Sequence, residues 1–254
     1  MPKNNRRGGQ APMWASQNFL TGRAEILRLL DISDICKRDH VLEIGPGKGH
    51  ITRELIGRCG RLTAVELDHS LWARLGERFA GDGRLTLIEG DFLKTPLPKG
   101  PYKVFANIPF SETSNIIRRL TQCGNPPEAA WLIVEWGAAK RFAGDSLAGW
   151  TLRPYFKVRS AARIGRGQFH PAPSVDAALL ELRRREAPHL PWEQQREYRA
   201  FLERAFREGP RSLLTNRQIS TALRLEGLPP AARDGNMEYV QWLCLFRCWR
   251  KFYL

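Results

Sequence analysis

Five short apolar runs, at residues 41–44, 62–65, 85–88, 103–106 and 131–134, are separated by segments long enough to hold a helix. Runs of this length suit buried strands better than buried helices, and two parallel strands need a crossover of a dozen or more residues between them. The alternation therefore predicts βαβ units wound about a parallel sheet. In such sheets ligands sit beyond the carboxyl ends of the strands, so any chemistry is to be sought there. After residue 156 the pattern changes to two extended segments, 157–164 and 175–182, most simply an antiparallel pair. Gly165-Arg166-Gly167 and Phe169-His170-Pro171-Ala172-Pro173 lie between them. Past Pro188 the strand signals stop. Trp192, Tyr198, Phe201, Leu202, Ala205 and Phe206 recur at near-helical spacing, and residues 216–226 and 237–252 also read as helix.

Forty Lys and Arg against 26 Asp and Glu leave a formal charge of +14 on 254 residues, while 43% of the residues are hydrophobic. That apolar share excludes a disordered basic tail, and the charge points to a polyanionic partner, nucleic acid before a membrane surface. More of the surplus falls after residue 152 than before it. The five Cys form no CxxC pair and no metal-ligand spacing, which fits a reducing compartment without a disulfide framework. No run of 18 apolar residues occurs, and the first residues do not read as a secretion signal. The expectation is a cytoplasmic protein. Residues 1–14, with Lys3, Arg6 and Arg7 among Gly, Pro and Asn, read as a flexible basic arm.

Glu43-Ile44-Gly45-Pro46-Gly47-Lys48-Gly49 closes the first predicted strand and opens a helix near His50. Glycines let the backbone turn tightly and approach a ligand, and the N–H groups of a helix start face that ligand. The dinucleotide fingerprint would place its third glycine at position 50, where His50 stands, so another nucleoside cofactor is favoured. Taken alone, the loop is also an ordinary strand-to-helix turn. Two further residues sharpen it. Glu66 ends the second strand, where a carboxylate can accept both hydroxyls of a ribose. Asp91 follows the third, where it can accept from an adenine amine. Glycine loop, Glu66 and Asp91 at successive strand ends resemble the S-adenosylmethionine-dependent methyltransferase fold. Asp68 reads as a helix cap and Lys48 as a solvated side chain.

The fourth strand ends in Asn107-Ile108-Pro109-Phe110, the most specific feature of the sequence. An amine conjugated to a purine is a poor nucleophile because its lone pair is delocalised into the ring. A site that alkylates it must favour the pyramidal nitrogen. Asn107 offers a carbonyl acceptor, a proline-stiffened turn can aim the Ile108 carbonyl at the second N–H, and Phe110 offers a face for an extruded base. Because asparagine is no base at neutral pH, the chemistry implied is in-line displacement with proton loss after attack, driven by orientation and polarisation.

Six segments carry a family resemblance: Ser16-Gln17-Asn18-Phe19-Leu20, the glycine loop from Glu43, Val65-Glu66-Leu67-Asp68, Gly90-Asp91-Phe92-Leu93, Asn107-Ile108-Pro109-Phe110, and Phe169-His170-Pro171-Ala172-Pro173-Ser174-Val175-Asp176. Together they resemble the Erm ribosomal RNA adenine-N6 methyltransferases from about residue 8 to 186. The resemblance implies an α/β fold, a Rossmann-like S-adenosylmethionine-dependent methyltransferase sheet at residues 15–185; the helical spacing beyond it predicts a small all-helical domain at 186–254 that binds RNA or stabilises the fold. It implies mono- or dimethylation of one adenine in a loop or bulge of 23S rRNA. The consequence is resistance to macrolides, lincosamides and streptogramin B. By the same match Asn18, Leu20, Gly45, Glu66, Asp91 and Asn107 contact S-adenosylmethionine, Phe110 stacks on the target adenine, and Phe169 lies in a loop that closes over the site. No metal is implied, and the chain is expected to act as a monomer. Phe110 replaces the Tyr common at its position, which keeps the stacking face, and Trp136 stands where a Lys is expected.

Lys140, Arg141, Arg163 and Arg166, with the arm residues, are candidate phosphate contacts around the catalytic mouth. Arg183-Arg184-Arg185 reads equally as an RNA contact or a junction. The enzymatic alternative, a small-subunit rRNA adenine dimethyltransferase, usually has Leu where Ile108 stands. A non-catalytic RNA-binding or transcription-factor descendant of the fold would have no use for Asn18, Glu66, Asp91 and Asn107 together.

Overall fold

The computed structural model describes residues 18–231 and 237–253. The proposed arm at 1–14 and the Ser16-Gln17 pair lie outside the described residues. A two-residue strand, β1 (Phe19–Leu20), leads into α1 (Arg23–Ile32). Then β2 (His40–Ile44), α2 (His50–Arg58), β3 (Arg61–Glu66), α3 (His69–Arg78), β4 (Leu85–Glu89), β5 (Lys103–Asn107), α4 (Thr113–Thr121) and β6 (Ala129–Glu135) follow. All five predicted runs are strands.

They pair in parallel in the order β4-β3-β2-β5-β6. The chain winds outward from β2 to β4, then returns to β5 on the other side of β2. The switch point therefore lies between β2 and β5, with the glycine loop on one flank and Asn107 on the other. After α5 (Trp136–Ala143) and α6 (Leu147–Leu152), the expected extended pair appears as β7 (Phe156–Ile164) and β9 (Ala177–Arg184). Strand β9 inserts antiparallel between β6 and β7, which forms the edge and carries a register shift between Ser160 and Ala162. Within the connecting loop, β8 (Phe169–His170) pairs antiparallel with β1, Leu20 opposite Phe169.

The central strands β2, β5, β6 and β9 are buried on both faces, as strands covered by helices on both sides must be, while the edge strands β4 and β7 are more exposed. Val41, Leu62, Phe105, Trp131, Ile133 and Leu179 point to the face covered by α1 and α2. Alternate residues of the same strands, Leu42, Val65, Val104, Leu132 and Leu180, point to the other face. That second cluster runs without a break into the C-terminal helical region, α7 (Gln195–Glu208), α8 (Asn216–Leu225) and α9 (Tyr239–Tyr253). Aromatic rings make the joint. Tyr155 lies 4.9 Å from Trp192, Trp150 lies 5.9 Å from Trp242, and Phe201 lies 5.5 Å from Phe246. Helix α8 starts with a reciprocal capping box between Thr215 and Gln218. The Arg183-Arg184-Arg185 run is a junction in this structure. Arg183 pairs with Asp34 and Glu181, Arg184 donates to the Pro126 carbonyl, and Arg185 donates to the Arg153 carbonyl. Among the described residues no helix is long and apolar enough to cross a membrane.

Candidate active site

At the glycine loop, Gly45, Gly47 and Gly49 adopt φ of 64°, 57° and 74°, a conformation that side chains disfavour. The three are not equivalent. A Cβ on Gly47 would stand 2.6 Å from the Phe19 ring, and one on Gly49 would stand 2.7 Å from Leu75, whereas one on Gly45 would meet nothing within 4 Å. Two glycines thus admit protein against the loop, and Gly45 faces open space where a ligand can approach the backbone. Phe19, which roofs the loop, also carries the Lys48 ammonium 4.9 Å from its ring centre, so Lys48 is more than the solvated side chain expected from the sequence.

Glu66 is buried at the end of β3. It accepts from the Gly47 N–H at 2.9 Å and from the Asp68 N–H at 3.0 Å, so its carboxylate holds the shape of the loop. Each oxygen keeps a lone pair for a ligand hydroxyl. Asp68 caps α3 through the Ser70 and Leu71 N–H groups, as expected. The Gly90 N–H donates to the Glu66 carbonyl at 2.8 Å. This brings Asp91, two residues past the end of β4, to the same rim. Asp91 accepts from the Leu93 N–H and lies 3.7 Å from the Lys94 ammonium.

At the end of β5 the Asn107 amide donates to the Asn18 carbonyl at 2.8 Å. That bond fixes which way the side chain points. Asn107 Oδ1 and the Ile108 carbonyl accept no hydrogen bond among the described residues. Phe110 opens a short 3-10 turn that runs into α4, and it rests half-buried on the α1/α2 side of the core. Glu66, Gly47, Phe19, Asn18 and Asn107 therefore form one continuous run of contacts across the switch point. Leu20 stands differently. Its side chain is 2% exposed in the core, which leaves its backbone as the part able to line a ligand. Phe169 is likewise buried at 3%, paired opposite Leu20, and presents no free stacking face in this structure.

Glu43 is part of the site although the sequence marks it only as the first letter of the loop motif. It lies fully buried under α2, and burial pushes its carboxyl up to about 8, against the Thr52 hydroxyl and with the Glu66 charge. Burial therefore favours the neutral form of Glu43 beneath the loop. Near the far end of β6, Trp136 has Lys140 at 5.1 Å and Arg163 at 5.2 Å from its ring. Arg163 also pairs with Asp176. Of the candidate RNA contacts, Lys140 and Arg163 are thus organised around one aromatic ring. Arg141 lies over Phe142, and Arg166 is exposed.

A sheet of order β4-β3-β2-β5-β6-β9-β7, with a glycine turn, two acidic strand ends and an asparagine tetrad around its switch point, defines a methyltransferase of the Rossmann-like class. Residues 13–248 match the family described as ribosomal RNA adenine dimethylase, and the chain belongs to that family. It is 32% identical to an rRNA adenine N-6-methyltransferase of Lysinibacillus sphaericus over 93% of this chain and 96% of that one. The mycinamicin-resistance protein MyrB of Micromonospora griseorubida is 31% identical over 92% of this chain and 78% of its own. Among solved structures, the 23S rRNA methyltransferase ErmE superposes with a TM-score of 0.78 at 28% identity, covering 92% of this chain and all of that one.

Proposed function

We propose that this chain transfers methyl groups from S-adenosylmethionine to N6 of one adenine in 23S rRNA, and thereby confers resistance to macrolides, lincosamides and streptogramin B. The observation that carries the reading is the pair of unengaged acceptors, Asn107 Oδ1 and the Ile108 carbonyl, held at the switch point by the bond from Asn107 to Asn18. Two acceptors so placed suit an amine with two N–H groups. The names of the relatives, rRNA adenine N-6-methyltransferase and mycinamicin-resistance protein, support the same substrate and outcome.

S-adenosylmethionine, when bound, supplies an electrophilic methyl carbon. The open side of Gly45 would admit it, Glu66 would hold its ribose hydroxyls and Asp91 its adenine amine, and the backbone at Asn18 and Leu20 would close over it. Extruding the target base costs a few kcal/mol, which a loop or bulge reduces. Phe110 recovers about 1 to 3 kcal/mol by stacking. Asn107 and Ile108 draw the two N–H groups away from the ring plane, so the nitrogen lone pair turns toward the methyl. As the N–CH3 bond forms the sulfonium S–CH3 bond would break, with S-adenosylhomocysteine as the leaving group, and the methylated nitrogen would then give its proton to water, so no side-chain base is needed. The reaction is cytoplasmic and carried out by a monomer.

The test is methyl transfer from labelled cofactor to large- and small-subunit rRNA fragments, with primer extension locating the modified base. Label at a single adenine of the large-subunit fragment is expected. Label confined to two adjacent adenines of the small-subunit fragment would assign the chain to the dimethyltransferases of ribosome assembly.

A further inference from the structure

The connection from β4 to β5 crosses β3 and β2, a path that a helix covers in most doubly wound sheets. Here it carries Pro96, Pro98 and Pro101 and forms no helix. Beneath this proline-rich strap lies a cavity of about 630 Å³, within the size range of ligand sites. Its floor is polar where a covered sheet would be apolar: His40, Thr63 and Thr86 occupy the face that Leu42, Ile44 and Val65 continue as core. Arg38, Arg61 and Lys99 rim it.

No carboxylate lines this cavity, and none of its three rim cations forms a salt bridge among the described residues. The carboxylates nearest in sequence are committed elsewhere: Asp34 to Lys103 and Arg183, and Asp39 to Lys103. His40 donates to or accepts from the Thr63 hydroxyl at 2.9 Å, and its pKa is lowered by burial and by Arg61. It is therefore a neutral hydrogen-bonding group at physiological pH, and the positive charge of the cavity comes from the rim.

We infer that this cavity, at the amino ends of β2 and β3 and away from the catalytic rim, binds the phosphodiester backbone of an RNA segment outside the loop that presents the adenine. The inference rests on rRNA being the substrate. Three unpaired cations around a carboxylate-free hollow match phosphate, and the strap shapes the hollow for a chain that lies across it. The catalytic rim lies at the opposite ends of the same strands, about 17 Å away at roughly 3.3 Å per residue. A longer rRNA fragment presents more phosphodiester backbone to the cavity than a minimal hairpin held at the rim.

The experiment compares the full chain with a variant carrying Arg38→Ala, Arg61→Ala and Lys99→Ala, all exposed positions. Labelled RNA is titrated by fluorescence anisotropy with a short target hairpin and with a fragment that adds the flanking helices, over a series of salt concentrations. Thermal unfolding of the variant is expected to match that of the parent. For the long fragment, affinity is expected to fall by about tenfold or more, and the salt slope to lose about two to three units. Hairpin affinity and kcat on the hairpin are expected to stay unchanged. Equal affinity and slope for both proteins on the fragment would overturn the inference, as would equal losses on hairpin and fragment. Binding of pyrophosphate to the parent but not the variant, with fragment affinity unchanged, would also overturn it and assign the cavity to a free phosphate ligand. Failure of the parent to methylate rRNA would instead count against the proposed reaction, because anisotropy does not depend on methyl transfer.

Discussion

The side chain of Asn107 has two separate tasks, which its two ends divide. Its amide nitrogen ties it to Asn18, and its oxygen remains for the substrate amine. Asn107→Ala removes both and is expected to lower kcat by about 100-fold or more, the usual scale for losing one polarising hydrogen bond, with RNA affinity nearly unchanged. Asn107→Asp loses the same donor to Asn18 but keeps an acceptor, so it is expected to share any rise in the cofactor Kd while retaining more of the methyl-transfer rate at saturating cofactor. Single-turnover methyl transfer together with equilibrium cofactor binding separates the two variants. At Phe110 the ring is the working part. Phe110→Tyr is expected to retain activity within a few-fold, and Phe110→Ala to lose about 10- to 100-fold in kcat/KM from roughly 1 to 3 kcal/mol of stacking. Equal losses in the two variants would mean that the ring does not stack.

Among elements, the parallel strands were legible because each is a short apolar run separated from the next by a helix-length crossover, whereas their order in the sheet appears only in the structure. Asn107, Glu66 and Asp91 were legible because strand ends are where such a sheet presents polar groups. Other features left no sequence signal. Strands β1 and β8 have two residues each, too few for any periodicity, so the burial of Leu20 and Phe169 follows only from long-range pairing. The role of Phe19 as a roof was hidden for the same reason. Its contact with the glycine loop makes a prediction about that element. Gly47→Ala places a Cβ against the Phe19 ring in a backbone conformation that costs an L-residue roughly 1 to 2 kcal/mol. A fall of a few degrees in Tm is expected, with weakened cofactor binding. Gly57→Ala, in the last turn of α2 with open space around it, should leave binding unchanged and serves as the control.

For the molecule as a whole, stability carries the imprint of Glu43. Its folded pKa of about 8 stands above the ordinary 4.5, so the folded state holds a proton that the unfolded chain releases as pH rises between these values. Stability from this group is therefore greatest below about pH 4.5, declines as pH rises toward about 8, and levels off above that. Glu43→Gln is expected to flatten the decline by an amount on the order of a few kcal/mol. Tm measured against pH for both proteins checks it, and parallel curves would mean that Glu43 is ionised in the fold.

The pairing of β1 with β8 also sets an order of assembly. Strand β1 has no other partner strand among the described residues, and its partner lies far down the chain, beyond every helix and strand that builds the parallel half of the sheet. During synthesis the glycine loop, Glu66 and Asn107 all leave the ribosome well before Phe169 does. The parallel half can form at that stage, but the segment that roofs the loop and steadies Asn107 has nothing to clasp until the residue 165–176 loop emerges. A nascent chain thus carries the groups of the catalytic centre without the fastening that aligns them, and competence arrives late, with the antiparallel strands.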